Sequence, residues 1–577
     1  MKNSLLDEVN RSMEEQVTGG ITIRNFQGFR RQTFIPFGEL TLLYGPNSSG
    51  KSAVADALTL ITKIFDDKSN SAEIRNLLGR WINHQVQTEK VGEMVIKVTI
   101  PFGSEGGDQF WGAGEHYGGE FIGWWYSFED KYHGLPEYLV TKASRFEFEL
   151  HFSSDNALQG YHFATDLGPL FSMTAVKQDW TMAFNTLHPA YASLDADWRN
   201  SVYSTVNFRD AMEKGCTDST IALENGWMKI DSLHSITLPF GQFPVDFELF
   251  SFDDPSLRDE LEHYCSCFIS GVGLAIQSFC SHRTIQPVRP IPTSSSDSFE
   301  IGSRCHGGLD IGAITESQLP EWNDLAIDCC RVKTDKWTVS RRPSTPGTNG
   351  AAGGHTPKEG LWEYCNRVLA NPVFLNLGYK IDCDITFHLN ECSLEAITGT
   401  QQASAETLEA CAKTVKLYLR DKHDNRIRLE DVGAGVSQVI PVIICSYVDS
   451  FSPRLSFIQQ PELHLHPRLQ AQVADIFIER LNVGRHNAHS QRFLIETHSE
   501  HLILRVLRRI RETSRGNIRN KLFGLNPDSV CVLYVDKDEH GETTVRRLRI
   551  SSDGEFIDRW PQGFFTEREA ELFDQDE

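Results

Sequence analysis

Apolar residues recur along this chain in three rhythms, and each predicts a different element. Strict alternation marks half-buried strands. It occurs at Ile96, Val98 and Ile100, and again at Phe146, Phe148, Leu150 and Phe152 against Glu147, Glu149 and His151. Both segments predict strands of an antiparallel sheet. Val415, Leu417 and Leu419 alternate in the same way; residues 421–425 then read as a turn, with Ile427 and Leu429 on the returning strand. Helical spacing places Val54, Ala57, Leu58, Ile61 and Phe65 on one face of 52–65, and Leu502, Val506 and Ile510 on one face of a later helix. Short unbroken apolar runs at 41–44, 455–458 and from Phe493 onward predict fully buried strands. Residues 21–37 read as one or two further strands, and the Gly-rich, aromatic 103–119 as a long loop. Between about 155 and 280 no period is strong enough to use, and no repeat of fixed length or heptad run is found.

The run at 41–44 leads into GPNSSGKS, Gly45 to Ser52, which fits G-x-x-x-x-G-K-[ST] without a mismatch. Gly45 and Gly50 permit backbone angles that turn successive N–H groups inward, and Asn47 and Ser48 lie between them in the resulting phosphate nest. Lys51 adds a point charge, and the Ser52 hydroxyl is placed to ligate Mg²⁺. A strand before and a helix after would seat phosphate on a helix N-terminus. A second such terminus is predicted at 429–444, where Gly433 and Gly435 precede Ser437 and Gln438 at the start of an apolar helix. Beyond it, 455–458 ends in Gln459 and Gln460, and the strand from Phe493 is followed by His498, which can contact a γ-phosphate or position water.

Taken in order, NFQGFR, GPNSSGKS, DVGAGVSQ, QQPELHLHP and ETHSEH resemble the ABC-type ATPase head of SMC and RecF-like proteins. They are more similar still to the AAA ATPases of the OLD-like group found in bacterial defence and DNA-repair operons. The stretch 548–565 resembles a small domain of unknown function that follows such heads, and QPVRPIP (286–292) weakly resembles a Pro/Arg segment between the motifs. The resemblance implies an α/β P-loop NTPase of ABC/SMC-head type, with an antiparallel β part and an inserted middle region. It implies ATP and Mg²⁺ as cofactors, with Gly45, Asn47, Ser48, Gly50, Lys51 and Ser52 on the nucleotide. Gly435, Ser437 and Gln438 would form the signature that closes on the ATP of a partner subunit, and His498 would be the switch histidine. Such heads dimerise with ATP sandwiched between them. The expected domains are an N-terminal lobe at 20–100, the inserted region at 101–280, a C-terminal lobe at 281–525 containing a flexible loop at about 341–360, and a small domain at 526–577.

One departure matters. The resembled heads usually end the 455–458 strand with an acidic residue, as in I-E-E-P-E or I-E-Q-P-E, where this chain has Gln459 and Gln460. A carboxylate at the first position holds hydrated Mg²⁺ and at the second polarises water; an amide does neither well. Either the protein binds ATP and hydrolyses it slowly, or a carboxylate has been replaced so that the ATP state is trapped. The second reading is preferred for Gln459. Glu462, the nearest remaining acid, is assigned to subunit contacts.

Other signals carry less. His263, Cys265, Cys267, Cys280 and His282 lack the paired spacing of a zinc site, and His464 and His466 lack a third ligand, so structural roles are expected for both sets. Asp536, Asp538 and Glu539 mimic the acids of a Toprim nuclease, but about 40 residues follow them, too few for such a domain, and a hairpin turn is expected. The arginine-rich stretch between Arg485 and Lys521 reads as a solvated helix face ahead of a DNA-phosphate patch. The formal charge of -22 over 577 residues excludes a basic nucleic-acid coat. Thirteen cysteines without a regular framework, no apolar signal core and no run of about 18 apolar residues point to a soluble cytoplasmic protein, with no membrane partner. The expectation is an ATP-gated, homodimeric or higher-order switch in phage defence or DNA repair, acting with a separate effector protein. The alternative is a DNA-processing ATPase or nuclease with its active site in 101–280. A transporter ATPase is disfavoured by GAGVSQ in place of LSGGQ.

Overall fold

The computed structural model describes residues 19–64, 74, 76–78, 94–101, 145–153, 158–176, 179–185, 187–189, 221–224, 227–231, 280, 282–292, 298–301, 320–339, 359–388, 412–447, 455–486, 491–518 and 520–561. The loop expected at 103–119, most of the flexible stretch at 341–360, and His263, Cys265 and Cys267 lie outside these residues.

The described residues open with β1 (Gly20–Arg24), β2 (Thr33–Pro36) and β3 (Leu40–Tyr44), followed by α1 (Lys51–Ile64). Strands β4 (Met94–Pro101), β5 (Arg145–Phe152), β6 (Leu158–Thr165), β7 (Gly168–Val176), β8 (Asp179–Asn185), β9 (Ile221–Glu224) and β10 (Trp227–Asp231) come next. With β1 and β2 they form an antiparallel sheet in the order β2-β1-β4-β5-β6-β7-β8-β10-β9. The alternation read at 94–100 and 146–152 is its cause: Val98 faces Phe148 and Ile100 faces Phe146 across the β4–β5 pair. Phe148, Tyr161 and Phe163 then cluster, with the Phe148 and Phe163 ring centroids 4.7 Å apart. Strands β6 to β10 occupy the stretch in which the sequence showed no usable period.

The second half contains β11 (His282–Ile285), β12 (Ser298–Ile301), α2 (Pro320–Val339), α3 (Leu361–Ala370), β13 (Lys380–His388), β14 (Ala412–Arg420), β15 (Arg426–Ile427) and α4 (Ala434–Ser446). It continues with β16 (Leu455–Gln459), α5 (Pro467–His486), β17 (Arg492–Glu496), α6 (Glu500–Ser514), β18 (Val530–Lys537) and β19 (Thr543–Leu548). A small sheet joins β12, β14 and β13, with β15 beside β14. The returning strand after the Asp421 turn is shorter than expected: it stops at Ile427, and Leu429 is buried beyond its end.

The sheet that positions the site runs β11-β16-β17-β3-β18-β19, parallel from β11 to β18 and closed by the antiparallel β19. A parallel sheet needs both faces covered, which explains the unbroken apolar runs of β3, β16 and β17. On one face Leu42, Tyr44, Ile458, Ile495 and Val532 join a core with Trp322 of α2, Tyr364 of α3, Ile440 of α4, Phe477 of α5 and Val506 of α6. The intervening Leu43, Phe457, Leu494 and Leu533 are buried as well. Each fully buried aliphatic side chain of this kind contributes about 1.5–3 kcal/mol. The stretch 526–577 supplies β18 and β19 to this same sheet, with β18 hydrogen-bonded directly to the strand that enters the phosphate loop.

No helix among the described residues is long and apolar enough to cross a membrane.

Candidate functional site

Three adjacent parallel strands, β16, β17 and β3, end at one edge. Gln459 is in register with Glu496, and Glu496 with Leu43. Carboxyl ends of parallel strands are where α/β sheets bind ligands, because loops and helix N-termini converge there.

The loop after β3 has the nest geometry expected from its sequence. Gly45, Ser48 and Gly50 have positive φ, at 143°, 62° and 110°. Two of these positions need glycine for space too. A Cβ on Gly45 would lie 1.9 Å from the Val535 carbonyl oxygen of β18, and one on Gly50 would lie 2.9 Å from the Thr543 side chain of β19. Thr543 Oγ1 donates to the Ser49 carbonyl at 2.9 Å, and its backbone N–H to the Gly28 carbonyl of the NFQGFR segment at the same distance. The hairpin from the C-terminal stretch is thus one wall of the phosphate loop. Its turn is closed by Asp538, whose Oδ1 accepts the His540 and Glu542 N–H groups. The acids resembling a Toprim pair therefore sit on a hairpin, as expected.

Asn47, Ser48 and Ser52 are exposed, whereas Lys51 is buried. Its ammonium donates to the Gly45 and Pro46 carbonyls at 3.0 and 2.8 Å and lies 3.8 Å from Glu496 Oε1. Burial lowers the Lys51 pKa, and the Glu496 charge opposes that shift. Glu496 Oε2 accepts a 3.0 Å hydrogen bond from Gln459 Nε2. Gln460 has φ of 43°, and its N–H is fixed to the Glu496 carbonyl at 2.7 Å.

His498 follows β17 at the same edge. Its N–H donates to Glu462 Oε1 at 2.7 Å, so Glu462 makes a contact within the chain. Burial, reinforced by the Lys51 charge, lowers the His498 pKa and keeps the ring neutral near pH 7. Burial also raises the Glu462 pKa. Two buried polar atoms here, Ser49 Oγ and His498 Nε2, have no hydrogen-bond partner among the described residues. Such orphans are costly in a folded chain and mark a surface prepared for a polar ligand. With the positive-φ nest and the exposed Ser52, they fit a nucleotide phosphate and a Mg²⁺ ion.

The signature segment is built differently. Ser437 Oγ donates to the Ala434 carbonyl at 3.1 Å. The Gln438 amide accepts from the Arg289 N–H at 3.0 Å and donates to the Arg289 carbonyl at 2.9 Å. Both side chains are engaged within the chain, while Gly433 and Ala434 at the helix start are exposed. A Cβ on Gly435 would lie 2.9 Å from the His464 carbonyl, so the helix start rests on the PELHLHP loop. His464 has φ of 65°, and His466 Nδ1 accepts the Arg468 N–H at 3.3 Å, both structural duties.

Arg289 is the residue that the sequence pattern did not single out. It is 3% exposed, and its guanidinium donates to the carbonyls of Gln438 (3.2 Å), Gln459 (2.8 Å) and Gln460 (2.9 Å). It therefore ties the signature helix to the end of β16. Burial lowers its pKa to about 10, with Glu462 opposing the shift. The signal available in sequence was an arginine flanked by prolines in QPVRPIP, where no backbone regularity would explain a cation.

Three of the α6 arginines, Arg505, Arg509 and Arg511, bond to other elements of their own chain, while Arg508 is exposed. Arg509 makes a two-point contact with Asp475, at 2.7 and 2.8 Å, and Arg505 joins the same carboxylate at 3.0 Å. Arg508 pairs with Glu512, and Arg511 donates to the carbonyls of Asp553 and Gly554. Among the described residues no cluster of three or more His, Cys, Asp or Glu could hold a metal ion.

Comparison with known protein families gives three matches. Residues 371–503 match a model described as an AAA ATPase domain, residues 21–157 one described as an AAA domain, and residues 525–575 a protein of unknown function, DUF3696. A search of curated proteins found no match. Among solved structures, the SMC head domain from Thermotoga maritima aligns over 92% of this chain and 98% of its own, at 9% identity and a TM-score of 0.32. The Smc head domain from Pyrococcus furiosus, with an extended coiled coil and bound to the C-terminal domain of ScpA, aligns over 92% and 96%, at 9% identity and a TM-score of 0.36. The chain thus carries AAA ATPase sequence, with its implied nucleotide binding, in two segments, 21–157 and 371–503. Its fold is a mixed α/β P-loop NTPase with an antiparallel sheet and an inserted middle region.

Proposed function

We propose that this chain is an ATP-binding switch that closes into a homodimer, or a higher oligomer, with ATP held between copies. It would act in phage defence or DNA repair with a separate effector protein. The supporting observation is the edge where Lys51, Glu496 and His498 converge on a positive-φ phosphate loop, leaving Ser49 Oγ and His498 Nε2 without partners.

In this reading the N–H groups of 45–52 and the Lys51 ammonium bind the β- and γ-phosphates, and Ser52 meets the metal. Bound Mg²⁺ would neutralise phosphate charge and polarise the γ-phosphoryl group. His498, held neutral by burial, offers its free ring nitrogen to the phosphate or to water. Ser437 and Gln438 brace α4 so that its exposed N-terminus, with Gly435, can meet the γ-phosphate bound by another copy. The Gln459 and Gln460 amides cannot take a proton from water, so turnover is slow and the ATP state persists. The assignment to defence or repair rests on the motif resemblance.

The purified chain is expected to bind ATP and hydrolyse it slowly, and Gln459→Glu to raise the rate. Brisk hydrolysis by the unaltered chain would contradict the slow switch. Cleavage of DNA by the chain alone with Mg²⁺ or Mn²⁺ would favour a DNA-processing enzyme instead.

A further inference from the structure

We propose that Glu496, at the end of β17, is the carboxylate through which this nucleotide site engages Mg²⁺, a duty the family resemblance assigns to position 459 on the neighbouring strand. The proposal rests on the nucleotide-binding reading above. Parallel register places Glu496 directly beside Gln459 and one strand closer to β3 and its phosphate loop. It is the one carboxylate within ion-pair range of Lys51 among the described residues. The Gln459 amide holds Oε2 and the backbone holds Gln460, so the carboxylate has a fixed orientation at the phosphate edge. Glu462 is the competing acid. Its Oε1 is committed to the His498 N–H, and burial favours its neutral form, which makes it a poor partner for a cation. Mg²⁺ needs little more than this from a protein, because it takes most of its oxygen ligands from phosphates and water and commonly one or two carboxylates.

A carboxylate beside a triphosphate has opposite effects with and without the cation. Without Mg²⁺ it repels the phosphates; with Mg²⁺ it helps to hold the complex. Titration of the full chain with a fluorescent ATP analogue, in MgCl₂ and in EDTA, reads both. For the unaltered chain Mg²⁺ is expected to tighten binding by about tenfold or more. Glu496→Gln, which keeps the side-chain shape, should bind equally or more tightly in EDTA and lose most of the Mg²⁺ gain, to within about twofold. Its binding in EDTA also reports that the variant is folded. Adding Gln459→Glu to Glu496→Gln returns a carboxylate one strand away and should restore part of the gain. An undiminished Mg²⁺ gain in Glu496→Gln would overturn the proposal and leave nucleotide binding intact. Equal weakening in both buffers would overturn it too, assigning Glu496 to the support of Lys51. No binding by the unaltered chain in either buffer would remove the nucleotide reading itself.

Discussion

The phosphate-loop edge and the signature helix are both glycine-bearing helix N-termini, yet they are finished in opposite ways. At the first, Ser49 Oγ and His498 Nε2 are buried without partners, and Lys51 is held by two carbonyls and an ion pair. At the second, every polar atom of the Gln438 amide is satisfied by Arg289, and Ser437 bonds within its own helix. At the first end side-chain polarity is left open; at the second the Ser437 and Gln438 side chains are held, although Arg289 Nε itself has no partner among the described residues. Identical motif logic in sequence therefore covers a receiving site and a braced surface, with Arg289 linking them through Gln459 and Gln460.

That contrast breaks most readily at Lys51. Lys51→Ala should act mainly on binding, weakening nucleotide affinity by about 10- to 100-fold as expected for losing a charged contact to phosphate, with a smaller loss of stability from the two carbonyls and Glu496 it leaves unpaired. Arg289→Ala should do the reverse. It strips three carbonyls and the Gln438 helix of a buried donor, and should cost about 2–4 kcal/mol in denaturant unfolding, with single-copy nucleotide affinity nearly unchanged. If Arg289→Ala abolished binding as Lys51→Ala does, the division into receiver and brace would fail. A smaller effect is expected from Thr543→Val, which keeps the shape and removes the bond to the Ser49 carbonyl. About 1 kcal/mol of stability should be lost, together with some nucleotide affinity, because the wall of the loop loosens.

The smallest effect is a pH slope. His498 has a folded pKa below its usual value of 6.5, so the unfolded chain takes up the proton more readily than the native one. Stability from this group is full above about pH 6.5 and falls as pH drops from there toward the lowered native value. Urea unfolding at pH 7.5, 6.5 and 5.5 should show a shallower acid-side loss in His498→Gln than in the unaltered chain. Equal slopes would mean that His498 is not held neutral by its surroundings.

Much of this architecture was legible because it is local. The loop from Gly45 to Ser52 shows itself in glycine, lysine and serine spacing, and β4 and β5 in alternating side chains. Strands β6 and β7 escaped because Gly160, Gly168, Ser172 and Thr174 dilute the apolar rhythm, and their place in the sheet follows from pairing with neighbouring strands. Glu496 and Arg289 escaped for a different reason. Glu496 belongs to a strand end whose meaning depends on Lys51 and Gln459, far away in the chain. Arg289 bonds to residues 149 to 171 positions later, a relation that only the folded sheet creates. The pairing of β18 with β3 is hidden for the same reason: nothing in the sequence of the C-terminal stretch announces which strand it lies against.

In the proposed switch, the receiving and braced ends complete one site when two copies meet. Sedimentation velocity of the full chain, without nucleotide and with saturating ATP and Mg²⁺, measures this directly. The account predicts single-chain mass without nucleotide and at least twice that mass with ATP, and no such change for Lys51→Ala. A chain that binds ATP yet keeps single-chain mass at saturation would contradict it.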